Sequence, residues 1–194
     1  MTIIFATQNE NKVKEIQKLM PDHIKIQSLK DINCNDDIPE TASTLEGNAN
    51  LKSSYVIDHF NVDCFADDTG LEIEILNGEP GVRSARYANE SGRSDDNNMN
   101  LVLSKLKNES NRKAQFRTVI SLKLNGQEEL FEGICKGKIA KEKSGNKGFG
   151  YDPIFIPEGY EISFADMSMT EKNGISHRGR AVQKLVAFLN QTSK

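Results

Sequence analysis

Two adjacent carboxylates, Asp67 and Asp68, follow an apolar run from Val62 to Ala66 and precede Thr69 and Gly70. Ligands of α/β sheets collect at strand ends, and neighbours on a strand point to opposite faces, so these two acids should have different partners. A carboxylate there can hold Mg²⁺, orient a water or take its proton, although Asp-Asp-Thr-Gly also reads as an ordinary turn. A second candidate is Thr7-Gln8-Asn9-Glu10-Asn11-Lys12, between a buried strand and a helical stripe. The N–H groups and dipole at a helix start attract anions, and with Asn9 as N-cap the Lys12 ammonium can fold over a bound anion. No glycine-rich Walker pattern is present, and a plain cap with a solvated lysine is the alternative. Asn48 and Lys52, four apart, share a helix face. Glu40 precedes them and offers a second carboxylate for a hard metal, with Lys52 to neutralise phosphate oxygens. In Gly148-Phe149-Gly150-Tyr151-Asp152 an aromatic held between glycines suits stacking on a planar base, with Asp152 accepting from ring N–H groups; the alternative is a hydrophobic plug. Lys172 is grouped with Ser176-His177-Arg178, where Ser176 caps the last helix and puts His177 and Arg178 in its first turn. Cations there oppose the helix dipole, a local conflict that points to an acceptor they serve.

These residues need elements to carry them. Thr2 to Ala6 reads as a buried strand, Glu10 to Met20 as a helix with Val13, Ile16, Leu19 and Met20 on one stripe, and Ile24 to Ile26 as a second strand. Strand–helix–strand is the α/β signature. Ser43-Thr44-Leu45-Glu46 has the form of a capping box for a helix to about His59. Val62 to Ala66 is predicted as one strand and Leu71 to Leu76 as another, with Leu71, Ile73 and Ile75 inward. Residues 95–107 read as a helix with Met99, Val102 and Leu106 inside. Two longer strands, about 115–124 and 128–139, are joined through Asn125-Gly126, a hairpin signal. A loop runs from Gly145 to Gly150. A closing helix from about Arg178 packs Ala181, Val182, Leu185, Val186 and Leu189. The hairpin within an α/β chain predicts a mixed sheet.

The chain has 194 residues, fitting one domain or one domain in two lobes. It has 25 Lys and Arg against 28 Asp and Glu, a net charge of −3. A general nucleic-acid binder is usually basic, so any bound anion must be held by a local cluster of cations. No stretch of about 18 apolar residues predicts a membrane span, and the first residues lack the features of a signal peptide. The three cysteines, Cys34, Cys64 and Cys135, are widely spaced without C-x-x-C, which disfavours a metal site or disulfide framework and fits a reducing cytoplasm.

Taken together, the motifs resemble the inosine/xanthosine triphosphate pyrophosphatase family. The matching segments are Ala6 to Asn9 with Lys12; Glu40-Thr41; Asn48-Ala49 with Lys52; Ala66 to Leu71; Pro80 to Tyr87; Gly148 to Phe155; and Ser176 to Gly179, in the family's order along nearly the whole chain. The resemblance implies an α/β fold: an elongated central mixed β-sheet with flanking helices, forming a single pyrophosphatase domain over residues 1–194 with two lobes and an active-site cleft between them. It implies a homodimer that needs Mg²⁺, while the charge balance and the lack of an apolar span leave neither nucleic acid nor membrane as an expected partner. The implied reaction hydrolyses non-standard purine nucleoside triphosphates (ITP, dITP, XTP) to monophosphate and pyrophosphate. By the same resemblance Thr7, Gln8, Asn9, Glu10, Asn11 and Lys12 bind the triphosphate with Lys52, and Glu40 and Asp68 hold the metal. Asp68 also accepts the proton, and Thr69 touches substrate. Phe149, Gly150, Tyr151, Asp152, Lys172, His177 and Arg178 form the base end. Three positions depart from the pattern: Thr69 replaces Ser and keeps the hydroxyl, Ala42 stands where Gly is usual, and Gly47 where Glu is frequent, removing an acid near the metal. Hydrogen-bond polarity suits the implied base. A 6-oxo purine accepts from His177 and Arg178, whereas the 6-amino group of adenine leaves such donors unpaired. The competing readings are a pyrophosphatase for modified pyrimidine or methylated nucleotides and a nucleotide-sensing module without catalysis.

Overall fold

The first strand, β1 (Thr2–Phe5), and the helix after it, α1 (Glu10–Gln17), follow directly from the opening residues. β-Branched and aromatic residues occupy the strand, and Asn9 caps the helix by accepting from the backbone N–H of Asn11 at 3.0 Å and of Lys12 at 3.3 Å. The computed structural model describes residues 1–89 and 92–192. The chain continues through β2 (Lys25–Ser28), α2 (Leu45–Phe60), β3 (Cys64–Ile73), β4 (Pro80–Gly81), α3 (Asp95–Lys105), β5 (Lys113–Leu124), β6 (Gln127–Ile139), β7 (Phe155–Pro157), α4 (Met169–Ile175) and α5 (His177–Thr192). The strand order is β2-β1-β3-β5-β6-β7, with β4 on β3. β1 is parallel to both β2 and β3, while β4 and β7 run antiparallel to β3 and β6. The predicted mixed α/β sheet is present.

The chain divides into two compact units. Met1–Asp68, Thr118–Gly133 and His177–Lys194 make the first; Thr69–Arg117 and Ile134–Ser176 make the second. In the first unit, alternate residues of β1 enter different cores. Ile3 and Phe5 join Ile16, Phe65, Ile120, Val182 and Leu185, while Ile4 and Ala6 join Val56, Cys64 and Ala66. A parallel sheet covered on both faces requires this. Phe5 and Phe65, aligned across β1 and β3, stack with centroids 4.6 Å apart. The second unit has its own core around Leu71, Ile73, Met99, Val102, Phe116, Phe155 and Phe164. Among the described residues no helix is long and apolar enough to cross a membrane.

Several elements differ from the sequence reading. The two short strands expected at Val62–Ala66 and Leu71–Leu76 are one strand, β3, running through the Asp67-Asp68-Thr69-Gly70 segment read there as a possible turn. Gly70 lets the chain pass close to β4: a Cβ there would lie 2.6 Å from the Gly81 carbonyl oxygen. Residues 74–76 form a 3₁₀ turn instead of strand, and Ile75 is exposed. The cap of α2 is Thr44, whose hydroxyl accepts from Gly47 N at 3.0 Å, and not Ser43. β7 and α4 had no periodicity long enough to mark them. The hairpin is as expected, with Asn125 and Gly126 at φ of 50° and 77°.

Candidate active site

In the first unit, β3 delivers Asp67 and Asp68 just past its parallel pairing with β1 at Cys64 and Phe65, and the alternation of the strand separates their partners. Asp67 accepts from Lys12 Nζ at 2.7 Å and from Arg178 Nε at 3.4 Å. Arg178 Nη1 also donates to Glu15 of α1. Asp68 accepts from Asn48 Nδ2 at 3.1 Å, and its other oxygen lies 3.7 Å from Lys52 Nζ. Lys52 donates to Glu40 at 2.6 Å. Asn48 and Lys52 sit one turn apart on α2, and Asn48 Oδ1 fixes the incoming chain by accepting from Ala42 N at 2.9 Å. Glu40, Lys52 and Asp68, drawn from three segments, therefore meet, as do Lys12, Asp67 and Arg178.

These contacts set the protonation tendencies. Burial acts to raise the Asp67 carboxyl, but Lys12 and Arg178 overcome it and hold Asp67 well below the usual carboxylate range. For Asp68 burial wins over Lys52 and Lys12, and its pKa moves upward. Lys12 is lowered, chiefly by burial and despite Asp67. Burial also acts to lower Lys52, yet Asp68 and Glu40 outweigh it and the net movement is upward. One aspartate is thus a fixed anion and its neighbour is poised nearer to accepting a proton.

The other residues of the Thr7–Lys12 segment have specific places. Thr7 Oγ1 accepts from Asn9 N at 3.2 Å, and Gln8 Nε2 donates to the Asp36 carbonyl at 2.9 Å. Glu10 and Asn11 are exposed in the first turn of α1. The conflict at the start of α5 has a visible answer, because Arg178 is flanked by two carboxylates. His177 is buried beside it in sequence. Glu15 was not foreseen as part of the site. The available signal was its spacing of three from Lys12, which puts both on one face of α1.

The second unit begins at Thr69 and holds a separate cluster. Asp152 Oδ2 accepts from Phe149 N at 2.9 Å and from Lys172 Nζ at 2.7 Å. The Lys172 ammonium lies 5.1 Å from the centroid of the half-buried Phe149 ring. Gly148, at φ 77°, permits this closure, since a Cβ there would be 2.0 Å from Asp152 Oδ2. Gly150 N donates to Asp95 at 2.7 Å. Tyr151 is a core residue whose hydroxyl donates to the Ser84 carbonyl at 2.7 Å. Asn98, unmarked in the sequence reading, secures the same segment: it accepts from Ala88 N and donates to the Ser84 and Ala85 carbonyls.

The donor set of the first unit fits a hard divalent cation. Glu40 and Asp68 are oxygen donors already gathered around one ammonium, and Mg²⁺ commonly takes one or two carboxylates plus waters and phosphates. Among the described residues no three His, Cys, Asp or Glu side chains form a metal-holding group.

A profile of the Ham1 family matches residues 3–188. The chain is 57% identical over 188 residues to a dITP/XTP pyrophosphatase of Flavobacterium psychrophilum, covering 97% of this chain and 98% of that one. It is 55% identical over 192 residues to the dITP/XTP pyrophosphatase of Flavobacterium johnsoniae, covering 99% and 100%. Among solved structures, the Ham1 protein of Staphylococcus aureus aligns with a TM-score of 0.89 at 40% identity, covering 99% of this chain and 100% of its own. A HAM1 protein from Coxiella burnetii gives 0.89 at 37%, covering 98% and 99%.

Proposed function

The chain belongs to the Ham1 family, and from that premise we propose that it hydrolyses inosine, deoxyinosine and xanthosine triphosphates to monophosphate and pyrophosphate in a Mg²⁺-dependent reaction. It is a nucleoside triphosphate pyrophosphatase, a hydrolase of the dITP/XTP type. The observation that carries the finer reading is the Glu40–Lys52–Asp68–Asn48 cluster, which sets a buried carboxylate of raised pKa beside an ammonium and a second carboxylate.

In this reading Asp68 orients a water toward the α-phosphorus and accepts its proton, a role its upward-shifted pKa favours. Asn48 fixes one Asp68 oxygen and leaves the carboxylate a single orientation. Lys52 offsets charge on the phosphate oxygens, and Lys12 does the same from α1. Thr7, Gln8, Asn9, Glu10 and Asn11 bring main-chain and side-chain donors to the start of that helix. Glu40 and Asp68 would hold Mg²⁺, which when bound supplies charge neutralisation and lowers the pKa of a coordinated water. Thr69 keeps the hydroxyl of the family pattern. His177 and Arg178 are donors matched to a 6-oxo purine and mismatched to adenine. Phe149, Gly150, Tyr151, Asp152 and Lys172 keep the contact with the base that the family resemblance implies. A homodimer belongs to the same proposal.

A pyrophosphate-release assay across inosine, xanthosine, adenosine, guanosine, thymidine and uridine triphosphates, with and without Mg²⁺, tests it. Rapid release from the first two, only with Mg²⁺, is the expected result. Faster release from the pyrimidine nucleotides, or equal release with EDTA, overturns the proposal.

A further inference from the structure

Asp67 is almost fully buried and holds two cations that the proposed function sends to different parts of the substrate. Lys12 is on one carboxylate oxygen at 2.7 Å; Arg178 Nε is on the other at 3.4 Å. The longer contact belongs to the arginine that Glu15 also engages. Charges therefore alternate along a line, Glu15, Arg178, Asp67, Lys12, two of each sign. In a setting of low dielectric, removing one member changes the hold on every other.

We propose that Asp67 is a positioning residue that couples recognition of the base to binding of the phosphates, because the two cations share its one carboxylate. The proposal rests on the reading that Lys12 meets the triphosphate and Arg178 the base. While Arg178 occupies one oxygen, the attraction of Asp67 for Lys12 is divided, and the ammonium can turn toward phosphate. Without Arg178 a larger share of the negative charge falls to Lys12, and the lysine is held back more strongly. Phosphate binding then weakens through a residue that does not touch phosphate.

The test reads the inhibition constant of inorganic pyrophosphate during inosine triphosphate hydrolysis. Arg178→Ala should raise that constant about tenfold, the scale of coupling between contacting charges. Arg178→Lys, which restores a cation opposite Asp67, should bring it back toward the wild-type value. Lys12→Ala should raise the constant by itself, and adding Arg178→Ala to it should then change nothing. In Asp67→Asn the effect of Arg178→Ala should likewise vanish; if that variant does not fold, the Lys12/Arg178 cycle decides alone. An unchanged constant in Arg178→Ala, or a full additional effect in the Lys12→Ala background, overturns the coupling. A wild-type enzyme that releases no pyrophosphate would instead remove the underlying reading, and the coupling with it.

Discussion

At the scale of single residues, two consecutive aspartates move in opposite directions from the same ordinary value of 3.8. Asp67 is depressed because Lys12 and Arg178 outweigh its burial, and its charge is part of what holds α1 and α5 to β3. Replacing it with Asn leaves two buried cations short of a counter-charge, which costs about 3–5 kcal/mol. The pH dependence has a definite sign. A depressed carboxylate contributes stability that is complete above its unfolded pKa and drains as pH falls through the folded one. Urea midpoints of the wild type should therefore fall steadily below about pH 4, and Asp67→Asn should start lower and lose less over the same range. Equal midpoints at pH 7 would show that the Asp67 pairs do not stabilise the fold. Much of this site was legible in the sequence: Asp67 and Asp68 are paired acids closing an apolar run, and Asn48 and Lys52 share one helix face behind Glu40. Glu15 was not, because an acid on an otherwise ordinary amphipathic helix looks solvated until its partner, 163 residues away, is known.

At the scale of elements, the start of α2 explains two departures from the family pattern by one contact. Gly47 is the third residue of that helix, and a Cβ built on it would lie 2.5 Å from the Cβ of Ala42. A side chain at 42 therefore fits with none at 47, the reverse of the arrangement usual in the family. Gly47→Ala alone should destabilise the protein by about 1–3 kcal/mol through overpacking. The double change Ala42→Gly with Gly47→Ala should recover that loss and add up to about 1 kcal/mol, since alanine outranks glycine inside a helix. Chemical denaturation of the three variants checks this, and additive losses would sink it. The elements most readable from sequence were those with a clear period or a fixed turn: β1, α1, α3, the β5–β6 hairpin and α5. β3 was split in two because Asp-Asp-Thr-Gly carries turn chemistry. Its extended conformation is secured by tertiary contacts: Gly70 against Gly81, and Ser84 Oγ accepting from Leu71 N at 2.9 Å.

At the scale of the molecule, a chain of net charge −3 must still receive a polyanion. In the first unit the cations Lys12, Lys52 and Arg178 share their setting with Glu15, Glu40, Asp67 and Asp68, so three positive groups answer four negative ones. The protein alone offers a triphosphate no surplus of positive charge there. On the proposed reading, a divalent cation held by Glu40 and Asp68 would turn that deficit of one into a surplus of one, and would then serve binding of the nucleotide as well as its hydrolysis. The dissociation constant of an inosine triphosphate analogue with a non-hydrolysable α,β linkage should rise at least about tenfold when Mg²⁺ is replaced by EDTA. The effect should shrink as salt screens the charges. In Glu40→Gln the site carries one negative charge less, so affinity without metal should improve while turnover with metal falls. Equilibrium titration of the analogue checks both. An affinity that does not depend on the metal would mean that Lys12, Lys52 and Arg178 can together answer the triphosphate despite their carboxylates, and would overturn the requirement for the cation.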